Sequence, residues 1–109
     1  MKILINAGPT RESIDPVRFI TNHSTGKMGY ALAAAAVKAG HEVTLVSGPV
    51  ALTPPAGLKQ LIRIVTAAEM AEAMKQHFPE ADLTILCAAV QNVVTTSFLF
   101  LKDDFHFFK

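Results

Sequence analysis

Apolar positions along this chain fall into short unbroken runs and one-sided stripes, separated by glycine and proline. Residues Lys2–Ala7, aliphatic apart from Lys2 and Asn6, stop at Gly8-Pro9-Thr10, which reads as a short buried strand ending in a turn. From 8 to 27 neither a helical nor a strand period holds. Gly, Pro, Asn, Ser and Thr stand in turn-forming positions there, so the stretch reads as a long loop of the kind that carries function in a compact domain. Residues 28–39 hold Met, Leu and six alanines with no β-branched residue before Val37, and Gly40 stops them: a helix. Glu42–Ser47 reads as a second strand, ended by Gly48-Pro49. A loop with three prolines follows over 48–57, then a third strand over 61–65.

Thr66-Ala67-Ala68-Glu69 has the spacing of a capping box and predicts a helix running to His77. Met70, Ala73, Met74 and Phe78 recur along it at helical spacing and read as core. Residues 83–90, apolar apart from Thr84, read as a fourth strand. Strands apolar along their whole length, separated by crossover segments, imply a parallel sheet covered on both faces. The expected fold is α/β: a Rossmann-like parallel sheet in the order third, second, first, fourth, with helices on both faces. Two helices are thin cover for four strands, which points to a partner subunit or to missing chain.

Composition narrows the function classes. The 109 residues are 50% hydrophobic and 17% charged, with a mean hydropathy of +0.34, which excludes disorder and collagen-like structure. A chain this long buries roughly 60 to 70% of its unfolded surface, yet is small for an enzyme holding two substrates. Ten Lys+Arg against nine Asp+Glu leave a net charge of +1, so no electrostatic stripe points to nucleic acid or to an anionic membrane. Cys87 is the single cysteine and has no internal disulfide partner. No apolar run approaches the about 18 residues needed to span a bilayer, and the first residues lack a signal-peptide pattern, so cytoplasm is the expected compartment.

The character changes after Val90. Residues 91–101 are β-prone and uncharged, and five of the seven phenylalanines lie from Phe98 onward. One reading is a further strand with a frayed end; the other is a tail not shaped by the preceding fold.

In an open parallel sheet the ligand sits beyond the carboxyl ends of the strands, at the switch between the first and fourth. The loop from Gly8, Ser47-Gly48-Pro49, Val65-Thr66 and residues 87–92 converge there. Ser24-Thr25-Gly26-Lys27-Met28-Gly29 leads into a helix N-terminus, where free amides, hydroxyls and a lysine suit a phosphate or carboxylate. The segment is not a P-loop, since Met28 follows Lys27 and no Gly stands five positions before Gly26. Nor is it a dinucleotide fingerprint: Gly-x-Gly-x-x-Gly is missing, and the second strand ends in Ser47 instead of a ribose-binding carboxylate.

The run from Gly8-Pro9-Thr10-Arg11-Glu12-Ser13-Ile14-Asp15-Pro16 through Val17-Arg18-Phe19-Ile20-Thr21-Asn22-His23-Ser24-Thr25-Gly26-Lys27-Met28-Gly29 closely resembles the signature of phosphopantothenate–cysteine ligase. Similar segments follow at Val43-Thr44-Leu45-Val46-Ser47-Gly48-Pro49, Thr66-Ala67-Ala68-Glu69-Met70 and Cys87-Ala88-Ala89-Val90. The resemblance implies an enzyme of coenzyme A synthesis, in bacteria usually the C-terminal half of a bifunctional flavoprotein. In that family the 4'-phosphopantothenate carboxylate attacks the α-phosphate of CTP, with Mg²⁺ assisting, giving an acyl-cytidylate and pyrophosphate; the cysteine amine then displaces CMP.

Residue by residue, the resemblance gives Asn22 the handling of the acyl-nucleotide, which suits an amide that donates without titrating. It gives Arg18 a forked contact to an anionic substrate. Gly8, Ser24, Gly26 and Gly29 match positions lining the nucleotide phosphates, and Leu86, Cys87, Ala88 and Ala89 a strand end that meets the nucleotide. Each has a plainer reading: Asn22 as a turn former, His23 and Lys27 as solvated groups, Cys87 as an ordinary strand residue, Asp15 as a turn former before Pro16. No dedicated metal site is identifiable. The family implies a homodimer for the complete protein, with small-molecule substrates and neither nucleic acid nor membrane as partner.

There are also departures. Where the family continues with Ala-Asp and an aromatic residue, this chain has Gln91-Asn92; Asn92 can hydrogen-bond a nucleotide but supplies no charge. The lysines the family places downstream have no counterpart, and Lys102 and Lys109 stand in an unmatched context. The expectation is therefore the N-terminal part of such a ligase over 1–90, in truncated form, with an unmatched apolar tail over 91–109 and doubtful activity alone. A non-catalytic nucleotide-binding or subunit-interaction fragment is the alternative, and a nicotinamide-dependent reductase a third.

Overall fold

The structure is a computed structural model, and it describes residues 1–15, 18–21, 25–87 and 98–101. Its elements run β1 (Lys2–Ala7), β2 (Arg11–Asp15), β3 (Arg18–Thr21), α1 (Lys27–Lys38), β4 (Glu42–Ser47), β5 (Gln60–Arg63), α2 (Ala67–His77), β6 (Leu83–Leu86) and β7 (Phe98–Leu101). A single tight helical turn, Phe78–Glu80, extends α2.

The main sheet has the order β5-β4-β1-β6-β7. Its first four members are parallel, and their order is the expected third-second-first-fourth. β7 pairs antiparallel to the outer edge of β6, from Leu86↔Phe98 to Leu83↔Leu101. Of the two readings of the tail, the described residues show a strand; the boundary at residue 90 and residues 102–109 lie outside them.

Alternation along β1 sorts its side chains between two cores. Ile3, Ile5 and Ala7 join Val43 and Leu45 beneath Tyr30 and Ala33 of α1. Leu4 joins Val46 and Ile64 on the other face, beneath Met70, Ala73, Met74 and Phe78, so the stripe read from the sequence as core is buried there. The helices thus cover opposite faces. The β4–β5 connection contains no helix; its Val50, Leu52 and Leu58 pack on the α1 side and stand in for one. α1 ends in a Schellman arrangement, with Gly40 N–H donating to the Val37 carbonyl at 2.9 Å and His41 N–H to Ala36 at 3.1 Å.

The region from 8 to 27, expected as an irregular loop, contains a β-hairpin. β2 and β3 pair antiparallel from Arg11↔Thr21 to Asp15↔Arg18, with an irregularity between Ser13 and Asp15. A two-stranded ribbon is specified by pairing between its strands, so the sequence of either strand carries little period of its own. Its base is tied to the domain by Arg11 N–H, which donates to the Val65 carbonyl at 2.7 Å beyond the end of β5. Among the described residues, no helix is long and apolar enough to cross a membrane.

Candidate functional site

The carboxyl ends of β1, β4, β5 and β6 come together with the start of α1, and backbone dominates this edge. Gly8 and Gly26 both adopt left-handed φ, at 84° and 78°, a region costly for residues with a Cβ. They also touch: a Cβ added to Gly26 would lie 3.5 Å from the Gly8 Cα and 3.0 Å from Val50 Cγ1. One turn along α1, a Cβ at Gly29 would lie 2.4 Å from the Ala7 Cβ and 3.2 Å from the Asn6 carbonyl oxygen. The missing side chains therefore set how closely the first turn of α1 approaches the end of β1.

That turn has no side-chain cap at Gly26 and no acidic residue. The Thr25 hydroxyl accepts from Lys27 N–H only at 3.4 Å, and Lys27 itself is exposed. The helix thus presents the positive end of its dipole at this edge, flanked by a cation.

Three buried polar groups complete the edge, and sequence reasoning singled out none of the contacts. The Tyr30 hydroxyl and Ser47 Oγ are 2.7 Å apart, and Ser47 Oγ donates to the Gly48 carbonyl at 2.8 Å, tying α1 to the end of β4. Ser47 thus sits where a dinucleotide-binding fold carries its carboxylate, with its hydroxyl engaged inside the protein. On β1, the Asn6 Oδ1 accepts from Cys87 N–H at 2.7 Å. The available signal for Asn6 was one polar residue interrupting an apolar strand.

Of the residues assigned through the resemblance, Gly8, Gly26, Gly29, Leu86 and Cys87 lie at this edge. Cys87 is buried and not in a disulfide. Arg18 opens β3 in the hairpin. Asn22, Ser24, Ala88, Ala89 and Asn92 lie outside the described residues, as does His23. Among the described residues no group of three or more His, Cys, Asp or Glu could hold a metal ion.

A separate shallow cavity opens at the amino ends of the strands, lined by Lys2, Glu42, Lys59, Gln60, His77 and Glu80. Its rim carries the exposed Lys59–Glu42 ion pair at 3.3 Å. It lies at the opposite end of the strands from the glycines and shares no residue with the motif that opens α1.

Comparison with known proteins agrees with the motif. A family model described as the DNA/pantothenate metabolism flavoprotein C-terminal domain matches residues 1–98. The coenzyme A biosynthesis bifunctional protein CoaBC of Bacillus subtilis is 57% identical over 88 residues, covering 81% of this chain and 22% of that protein. CoaBC of Vibrio parahaemolyticus is 60% identical over 88 residues, with the same 81% and 22% coverage. The crystal structure of the C-terminal domain of a CoaBC superposes with a TM-score of 0.78 at 56% identity, covering 82% of this chain and 44% of that one. The chain thus spans about a fifth of the length of these curated relatives, 22% in each case.

Proposed function

The chain belongs to the DNA/pantothenate metabolism flavoprotein C-terminal domain family, and from that premise we propose that it supplies the nucleotide-binding part of a CTP-dependent phosphopantothenate–cysteine ligase. CTP would lie across the carboxyl edge of the sheet with its phosphates toward Gly8, Ser24, Gly26, Gly29 and the start of α1. Leu86, Cys87, Ala88, Ala89 and Asn92 would meet the nucleotide from the β6 side.

In the first half-reaction the phosphopantothenate carboxylate oxygen bonds to the α-phosphorus as the α–β anhydride breaks and pyrophosphate leaves. In the second, the cysteine amine bonds to the acyl carbon, releasing CMP and a proton. Arg18 would hold an anionic substrate group, and Asn22 would donate to the acyl-cytidylate without changing charge. Mg²⁺ would enter with the CTP phosphates and offset their charge.

The observation that carries this reading is the close approach of Gly8, Gly26 and Gly29, which brings a first turn of α1 with no acidic residue to the end of β1 beside the switch point between β1 and β6. Calorimetric titration of the chain with CTP and magnesium should show binding. Pyrophosphate release in the presence of 4'-phosphopantothenate and cysteine should be small, because residues 91–109 contain no counterpart of the family's downstream lysines. Absence of CTP binding would overturn the reading. Robust turnover abolished by Asn22→Ala would overturn the expectation of low activity.

A further inference from the structure

At the switch point β1 and β6 part company. Their parallel register ends at Asn6↔Leu86, and the next residue of β1, Ala7, is in register with Ser47 of β4. Ala7 also accepts from Gly48 N–H at 2.9 Å, so the pairing of β1 with β4 runs past its pairing with β6. Cys87, the next residue after β6, gives its N–H to the side chain of Asn6. That contact is short, at 2.7 Å; Asn6 is only 7% exposed, and its partner is 81 residues away in the chain. A carboxamide here accepts the first N–H beyond the paired register, at the position where a doubly wound sheet places its ligand.

We propose that Asn6 is a positioning residue for the nucleotide site: its Oδ1 holds the Cys87 N–H and so fixes where the chain leaves β6 at the switch point. The inference rests on the reading of Leu86 and Cys87 as nucleotide-binding. It adds a residue outside the motif from Gly8 to Gly29, one whose side-chain amide joins the ends of β1 and β6. A polar group buried in an otherwise apolar strand is disfavoured unless paired, and here the pairing reaches across the candidate site.

Two substitutions of similar size separate positioning from packing. Asn6→Leu removes the acceptor, whereas Asn6→Asp keeps an acceptor oxygen in the same place. In the 109-residue chain, exchange of the Cys87 amide, followed by NMR, should be slow in the wild type and in Asn6→Asp. It should be at least tenfold faster in Asn6→Leu, under conditions where the β1 and β4 amides remain protected. CTP titration of the folded variants should show at least tenfold weaker binding for Asn6→Leu, and for Asn6→Asp a smaller loss from its added charge. Unchanged Cys87 exchange in Asn6→Leu, or wild-type CTP affinity in that variant, would overturn the proposal. If the wild type itself binds no CTP, the nucleotide reading fails and the positioning role falls with it; the exchange rates then still decide whether Asn6 fixes the exit of β6. If Asn6→Leu fails to fold, Asn6→Ser serves in its place, since it shortens the side chain out of reach of Cys87 while remaining polar.

Discussion

The two helices begin in opposite ways. α2 is capped from its own sequence: the Thr66 hydroxyl accepts from Glu69 N–H at 3.1 Å, and Glu69 Oε1 accepts from the N–H groups of Thr66 at 2.9 Å and Val65 at 3.0 Å. α1 starts at a left-handed glycine with no side-chain cap and no acid in its first turn. A carboxylate already sits at the positive end of α2, while the corresponding end of α1 faces the edge where the motif converges. α2 therefore illustrates a helix whose start is a local matter, and α1 one whose start is held by tertiary contact with β1.

If that contrast holds, the largest effect should come from the seating of α1. Gly29→Ala should cost about 1–3 kcal/mol through overpacking against β1, although alanine is the better helix former by roughly 1 kcal/mol. Urea unfolding measures it, and a neutral or stabilising result would break the claim that the sheet positions this helix. A smaller effect is expected from Thr66→Ala, about 1 kcal/mol for a lost N-cap. Hydrogen exchange should confine the loosening to the first turn of α2 and leave the start of α1 unchanged.

The smallest effect concerns pH. The backbone N–H groups of Thr66 and Val65 hold the Glu69 carboxyl below its ordinary value of 4.5. A carboxyl whose folded value is depressed contributes stability at pH above its unfolded value and loses it as pH falls through the folded value. Melting temperatures followed downward from pH 6 should therefore fall slightly more in the wild type than in Glu69→Gln, with the difference developing below about pH 4.5. Identical profiles would show that the exposed carboxylate contributes nothing measurable at this cap.

Legibility followed the same division. α2 was readable to within a residue because its cap, its stripe of Met70, Ala73 and Met74, and its end are all local in sequence. The strands β1 and β4 were readable because burial on both faces leaves them mostly apolar, each bounded by a Gly-Pro turn. The hairpin was missed because Arg11–Asp15 and Arg18–Thr21 interleave charged and apolar residues, and only their mutual pairing makes them strands. The fourth strand, expected over 83–90, is seen only over Leu83–Leu86: the Cys87 N–H leaves the ladder for Asn6, and residues 88–90 lie outside the described structure.

By itself, then, the sequence determined the class of sheet, the order of its parallel strands, the two helices and the family, since each depends on a local pattern or a contiguous motif. Tertiary structure alone decided which glycines touch which strand, that Ser47 is engaged by Tyr30, and that Asn6 reaches Cys87 across the switch point. These are contacts between residues 17 to 81 positions apart, whose energies depend on distances of a few tenths of an ångström. A pattern along one strand holds no record of them until the sheet brings the partners together.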